Sequence, residues 1–332
     1  MPAKPVHCGE HDPSVEIYDS LSDATDRFAR RHPLSNTAPG SYLNGMHFTP
    51  RLSVNSLFWL TSLRDDEKGV TRRVWEDLPG VFAVEGLPAE MIEITSAIEL
   101  HSALTELVRL ANLGAKPMIH FDCHGSLERG LWLAASDEYM SWSELISLLR
   151  DINQACGNNL CVVSACCFSF EAVRFVDIHL TAPFGILIAP EGEVNAGFLE
   201  ENMVAFYREM LALGDITSAM ETRLKASFRM FHSEKMLAHV LTKYIDQGGM
   251  GRRLRERREA LMKMAVPEEV ELTKQTMAEL RHLRDNMTKP TEDLIKRFIP
   301  GFLAGKAPAF TVKQLEDEVR KARAAGIPPG QF

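Results

Sequence analysis

The chain has 332 residues, 45% hydrophobic and 25% charged, a globular balance that supplies a sizeable core. Its net charge of −8 argues against a main task of coating nucleic acid, and no run of about 18 uncharged apolar residues offers a membrane span. The N-terminal segment carries Glu10, His11 and Asp12 with no apolar core, so it does not read as a secretory signal. The six cysteines lie mostly in or beside apolar runs, which points to a reducing compartment, the cytoplasm.

In chain order, Val15–Asp19 reads as a short strand, followed by an amphipathic stretch that Pro33 stops. Residues 34–56 are rich in Ser, Asn, Gly and Pro and begin an irregular insertion over about 33–86, within which Leu57–Leu63 and Val70–Trp75 read as helices. Met91–Thr95 alternates like a strand. Ser96 and Glu99 then have capping-box spacing and open a helix that ends at Gly114. Pro117–Cys123 is a strand running into His124-Gly125. Ser141 and Glu144 open another helix, Leu160–Ser164 and Phe184–Ala189 are strands, and Phe198–Leu213 is a helix.

Strands alternating with helices describe an α/β fold, a mostly parallel sheet covered on both faces, over residues 1–245. Residues 246–332 form a C-terminal helical extension, either packed on the sheet or serving as a partner surface. It contains the run from Arg252 to Arg258, Pro267 at an expected first helical position, and Thr311/Gln314 at capping-box spacing. Glu256 and Glu259 within the arginine run favour a solvated helix face over a nucleic-acid contact.

Two strand ends carry chemistry: Phe121-Asp122-Cys123-His124-Gly125 and Val163-Ser164-Ala165-Cys166-Cys167. Ligands of open α/β sheets bind beyond the carboxyl ends of the strands. If the two strands are neighbours, an imidazole and a thiol leave the sheet side by side. A histidine beside a cysteine promotes the thiolate and protonates a leaving amine, while the N–H groups of Gly125 and Cys166 offer an oxyanion hole. Alternation turns Cys167 away from Cys166 and so favours Cys166 as nucleophile. Along a strand His120 and His124 stand roughly 13 Å apart, too far to share a metal's inner shell. His7, Cys8 and His11 form a looser trio.

These motifs resemble the caspase-like cysteine peptidases, which place a His-Gly after one hydrophobic strand and an Ala-Cys after the next. Among them the stretch from His124 to Leu149, the Ser164-Ala165-Cys166 end, and residues 184–224 are similar to CHAT peptidases. The resemblance covers residues 90–225 well and stops before the C-terminal helices. It implies an endopeptidase acting on a protein or peptide substrate without a metal or other cofactor, with Cys166 as nucleophile and His124 as acid/base. It also implies a role in bacterial defence or regulated cell death, and the C-terminal helices are the place for a regulatory protein. One departure is Ser164, where many relatives carry an acid that helps select a basic P1 side chain. Asp122, Glu191 and Glu193 are the acids on neighbouring segments. The competing readings are an inactive caspase-like scaffold that binds protein partners, and a different thiol-dependent hydrolase or transferase.

Overall fold

The computed structural model describes Leu43 and residues 46–249, 251–266, 273–288 and 290–326. The expected strand at Val15–Asp19 with the helix after it, the His7, Cys8 and His11 trio, and Pro267 lie outside the described residues.

The strands are β1 (Ser56–Ser62), β2 (Ala89–Glu93), β3 (Pro117–Ser126), β4 (Gly130–Leu133), β5 (Glu138–Met140), β6 (Cys161–Ser164), β7 (Ile186–Pro190) and β8 (Phe228–His232). The main sheet runs β2-β1-β3-β6-β7-β8, parallel throughout except for the antiparallel edge strand β8. β4 and β5 form an antiparallel hairpin on the far end of β3. The chain is therefore α/β with a mostly parallel mixed sheet.

Helices cover both faces. On one side lie α1 (Lys68–Val84), α4 (Ala196–Leu213) and α5 (Ile216–Arg223), whose Leu78, Phe82, Phe206 and Met220 pack on Leu57, Trp59, Cys161 and Val163. On the other lie α2 (Ala97–Asn112), α3 (Trp142–Ala155) and α6 (Ser233–Tyr244), whose Leu104, Leu149 and Leu241 pack on Phe58, Leu60, Phe121 and Val162. Successive side chains of one strand thus enter different cores, as the pleat requires.

Leu57–Leu63, expected as a helix, is instead strand β1, and all seven residues of Ser56–Ser62 are buried. A strand covered on both faces has no polar alternation, so its periodicity carries no strand signal. The expected insertion therefore contributes a central strand and a covering helix. Ser96, Ser141 and Thr311 cap their helices as their spacing predicts, Thr311 and Gln314 making a reciprocal capping box.

After α6 a π-helical turn, Ile245–Gly249, leads into α7 (Gly251–Ala265), α8 (Lys274–Thr288), α9 (Glu292–Phe298) and α10 (Val312–Ala324). Phe298, Phe302, Leu303, Leu315 and Val319 belong to the same core as α6 and the sheet, so this part of the extension is packed on the sheet. Among the described residues, no helix is long and apolar enough to cross a membrane.

Candidate active site

β3 and β6 are hydrogen-bonded neighbours, with Met118 opposite Cys161 and Phe121 opposite Ser164. The Ala165 N–H extends the pairing to the Phe121 carbonyl at 2.8 Å. His124 and the Cys166-Cys167 turn therefore leave the sheet together at its carboxyl edge, where an open α/β sheet presents its ligand site.

His124 is aligned by the hairpin, facing Trp132 of β4 across the ladder with ring centroids 5.0 Å apart. Its Nε2 lies 3.0 Å from Glu67 Oε2, in the segment between β1 and α1. The same Oε2 accepts the Arg64 N–H at 3.1 Å, and the Arg64 guanidinium lies 4.9 Å over the Trp132 ring. Partial burial raises the Glu67 carboxyl, but the His124 and Arg64 hydrogen bonds and charges outweigh it and hold the group below its ordinary value.

Gly125 packs directly on the turn. A Cβ there would lie 1.9 Å from the Cys167 carbonyl oxygen, so the close approach that needs glycine is made by the protein's own backbone. The turn itself is tight. Phe168 has a left-handed φ of 59°, and the Cys166 carbonyl accepts both the Ser169 N–H at 3.2 Å and the Ser169 hydroxyl at 2.7 Å. A 3-10 helix, Ser169–Phe175, follows.

The two thiols point to different sides. Cys166 is 0% exposed and belongs to the α2/α3 core. Its Sγ lies 3.7 Å from the Phe121 carbonyl. The Cys166 sulfur held against Cys123, together with burial, pushes the Cys123 thiol well above its usual range. Cys167 is half-buried, and its Sγ lies 3.5 Å from the Val194 N–H and 3.8 Å from the Val194 carbonyl, on the loop that leads into α4. Beyond Ser164 the strand has ended, and the turn rather than the pleat directs these side chains.

The acids expected around the site have separate places. Asp122 is 8% exposed and accepts a hydrogen bond from Thr71 of α1, and burial raises its carboxyl above the usual range. Glu191 pairs with Arg229 at 3.1 Å. Glu193 is exposed on the loop that holds Cys167. Ser164 is buried with its Oγ 3.4 Å from the Cys166 N–H, which directs that expected oxyanion donor at a neighbouring side chain. His120 stacks on Trp59 with ring centroids 3.5 Å apart and bonds Tyr207 at 2.7 Å, a core histidine.

The structure thus pairs His124 with Glu67, sets Gly125 against the Cys167 backbone, turns the Cys167 sulfur to Val194, buries the Cys166 thiol in the core, and engages Asp122 with Thr71 and Glu191 with Arg229. Glu67 was not legible as a site residue. It follows an apolar run read as a helix, and recognising that run as a strand would have put the Asp65-Asp66-Glu67 segment at the same sheet edge. An imidazole oriented by a carboxylate beside a thiol-bearing turn can take a proton from sulfur and return it to a leaving group. No protein-family model matches the chain, and no curated protein is found similar to it.

Proposed function

We propose that this chain is a cysteine endopeptidase of the caspase-like type, with His124 as acid/base and a nucleophile from the Cys166-Cys167 turn. The observation that carries the reading is the departure of His124-Gly125 and this turn from two adjacent parallel strands, in backbone contact with each other. The thiolate attacks the peptide carbonyl carbon, and imidazolium returns the proton to the departing amine. Water, deprotonated by the neutral imidazole, then hydrolyses the acyl thioester.

The resemblance assigns the attack to Cys166. That requires the turn to rotate its thiol from the Cys123 side toward His124, since the described conformation seals it from solvent. The burial pattern favours a second reading, in which the half-buried Cys167 attacks, its sulfur already facing a backbone N–H. A basic P1 preference rests on Glu193, because Asp122 and Glu191 are engaged. A protein substrate in bacterial defence or regulated cell death rests on the resemblance, the cytoplasmic setting on cysteines placed in or beside apolar runs, and a regulatory partner on the helical character of the C-terminal segment.

The test is labelling by a library of peptidyl acyloxymethyl ketones, read by mass spectrometry. Wild type is expected to be labelled and His124→Ala is not. Loss of labelling in Cys166→Ala alone places the nucleophile at Cys166, and loss in Cys167→Ala alone places it at Cys167. A wild type that no probe labels under any condition would sink the peptidase reading and leave the protein-binding scaffold.

A further inference from the structure

We propose that Glu67 is a positioning residue for His124, holding the imidazole as its Nε2–H tautomer so that Nδ1 is the ring's base. The inference rests on the thiol-peptidase reading of this site and deepens it. An ionised carboxylate is an acceptor only, so a neutral His124 whose Nε2 stands 3.0 Å from Glu67 Oε2 must carry its proton on that nitrogen. The lone pair is then on Nδ1, where a thiol proton can be taken up.

The carboxylate is held for this task from several sides. Its Oε2 accepts the Arg64 N–H at 3.1 Å and lies 3.7 Å from the Arg64 Nε. Arg64 in turn covers Trp132, and Trp132 lies against His124, so four groups close on one another. Trp132 is pinned by its own indole N–H, which donates to Asp137 at 2.9 Å.

Glu67 occupies the residue before α1, yet its side chain makes no capping bond to that helix. Negative charge at a helix start is favoured by the free N–H groups and the helix dipole there. This carboxylate makes no bond to the N–H groups of α1 itself and joins the Arg64 N–H, three residues earlier, to the histidine. With side chains 39% and 30% exposed, the His124–Glu67 pair adds little to stability, so removing Glu67 should alter proton transfer far more than folding. During reaction, Nδ1 accepts the thiol proton, and the imidazolium so formed is stabilised by the Glu67 carboxylate. The proton then goes to the departing amine and neutral imidazole is restored.

The test uses the full-length chain with 15N-labelled histidine, observed by NMR at a pH where the ring is neutral. Wild-type His124 is expected to show the Nε2–H tautomer alone, Glu67→Ala a mixture, and Glu67→Gln, which keeps an acceptor oxygen, the wild-type form. In parallel, the maximal rate of labelling by the peptidyl ketones should fall roughly 10²–10⁴-fold in Glu67→Ala, the range that a positioned acid–base group contributes. The half-saturating probe concentration and the thermal midpoint should stay nearly unchanged, with partial recovery of rate in Glu67→Gln. A wild-type Nδ1–H tautomer, or a Glu67→Ala protein with unchanged tautomer and rate, would overturn the assignment. Should wild type resist labelling altogether, the peptidase reading fails while the tautomer measurement still decides the role of Glu67.

Discussion

His120 and His124 lie four positions apart on one strand and have opposite fates. His124 is half-buried at the sheet edge with a carboxylate partner, whereas His120 is 0% exposed, stacked on Trp59 and bonded to Tyr207. Burial lowers the His120 pKa from 6.5 to about 3. Among the described residues its Nε2 has no partner, so protonation would put a charged N–H where none of them offers an acceptor. Between pH 6.5 and about 3 the unfolded chain binds a proton at this residue that the folded chain refuses, and stability falls as pH drops through that window. His120→Phe is expected to have a shallower loss of unfolding free energy over the window, measured by urea titration at a series of pH values. Part of the slope will persist, because burial, with help from Lys306, Lys235 and Arg51, also holds His232 at about 3. At neutral pH the variant should be less stable by about 1–3 kcal/mol, the cost of leaving the buried Tyr207 hydroxyl unpaired.

Elements meet at the site through backbone as much as through side chains. The end of β3 lies on the Cys166-Cys167 turn so closely that any Cβ at position 125 would overlap the Cys167 carbonyl. Neither partner is a flexible side-chain end: one belongs to the ladder with β4, the other to a turn closed by Ser169 and a left-handed Phe168. Gly125→Ala is therefore expected to force the two segments apart, lowering stability by about 1–3 kcal/mol and abolishing probe labelling. Urea denaturation beside the labelling assay checks both, and a variant of wild-type stability that still labels would show that the turn yields easily.

At the scale of the whole molecule, the chain beyond residue 245 is not a separate appendage throughout. The Phe302 carbonyl accepts the Ala182 N–H at 2.9 Å, and Leu315 and Val319 enter the core beside α6. Arg323 of α10 reaches Asp246 in the π-helical turn with Nε–Oδ1 at 2.8 Å and donates to the Asp246 carbonyl at 2.7 Å. The Asp246 side chain is only 1% exposed. Removing one member of such a pair strands the other charge in the interior, so Arg323→Ala should cost about 3–5 kcal/mol. The measurement is a denaturation curve of the full chain. A loss below 1 kcal/mol would mean that Asp246 finds water or another donor. The link also ties the last helix to the segment that follows α6, giving the C-terminal helices a direct mechanical connection to the sheet domain.

What the amino-acid sequence determined by itself was the layered α/β order and the two strand ends bearing His124 and Cys166. Those depend on local patterns: apolar runs of strand length, capping spacings at Ser96, Ser141 and Thr311, and polar motifs where the runs stop. It misread Leu57–Leu63, because a strand buried on both faces shows no alternation to distinguish it from a buried helix turn. Tertiary structure alone decided which thiol stands open, because past Ser164 the pleat no longer governs direction and a turn packed on Gly125 does. It alone decided the partner of His124, since Glu67 lies 57 residues earlier and comes near only when β1 and β3 pair. Periodicity reports the face of an element, while the meeting of groups from different elements depends on how the sheet is ordered.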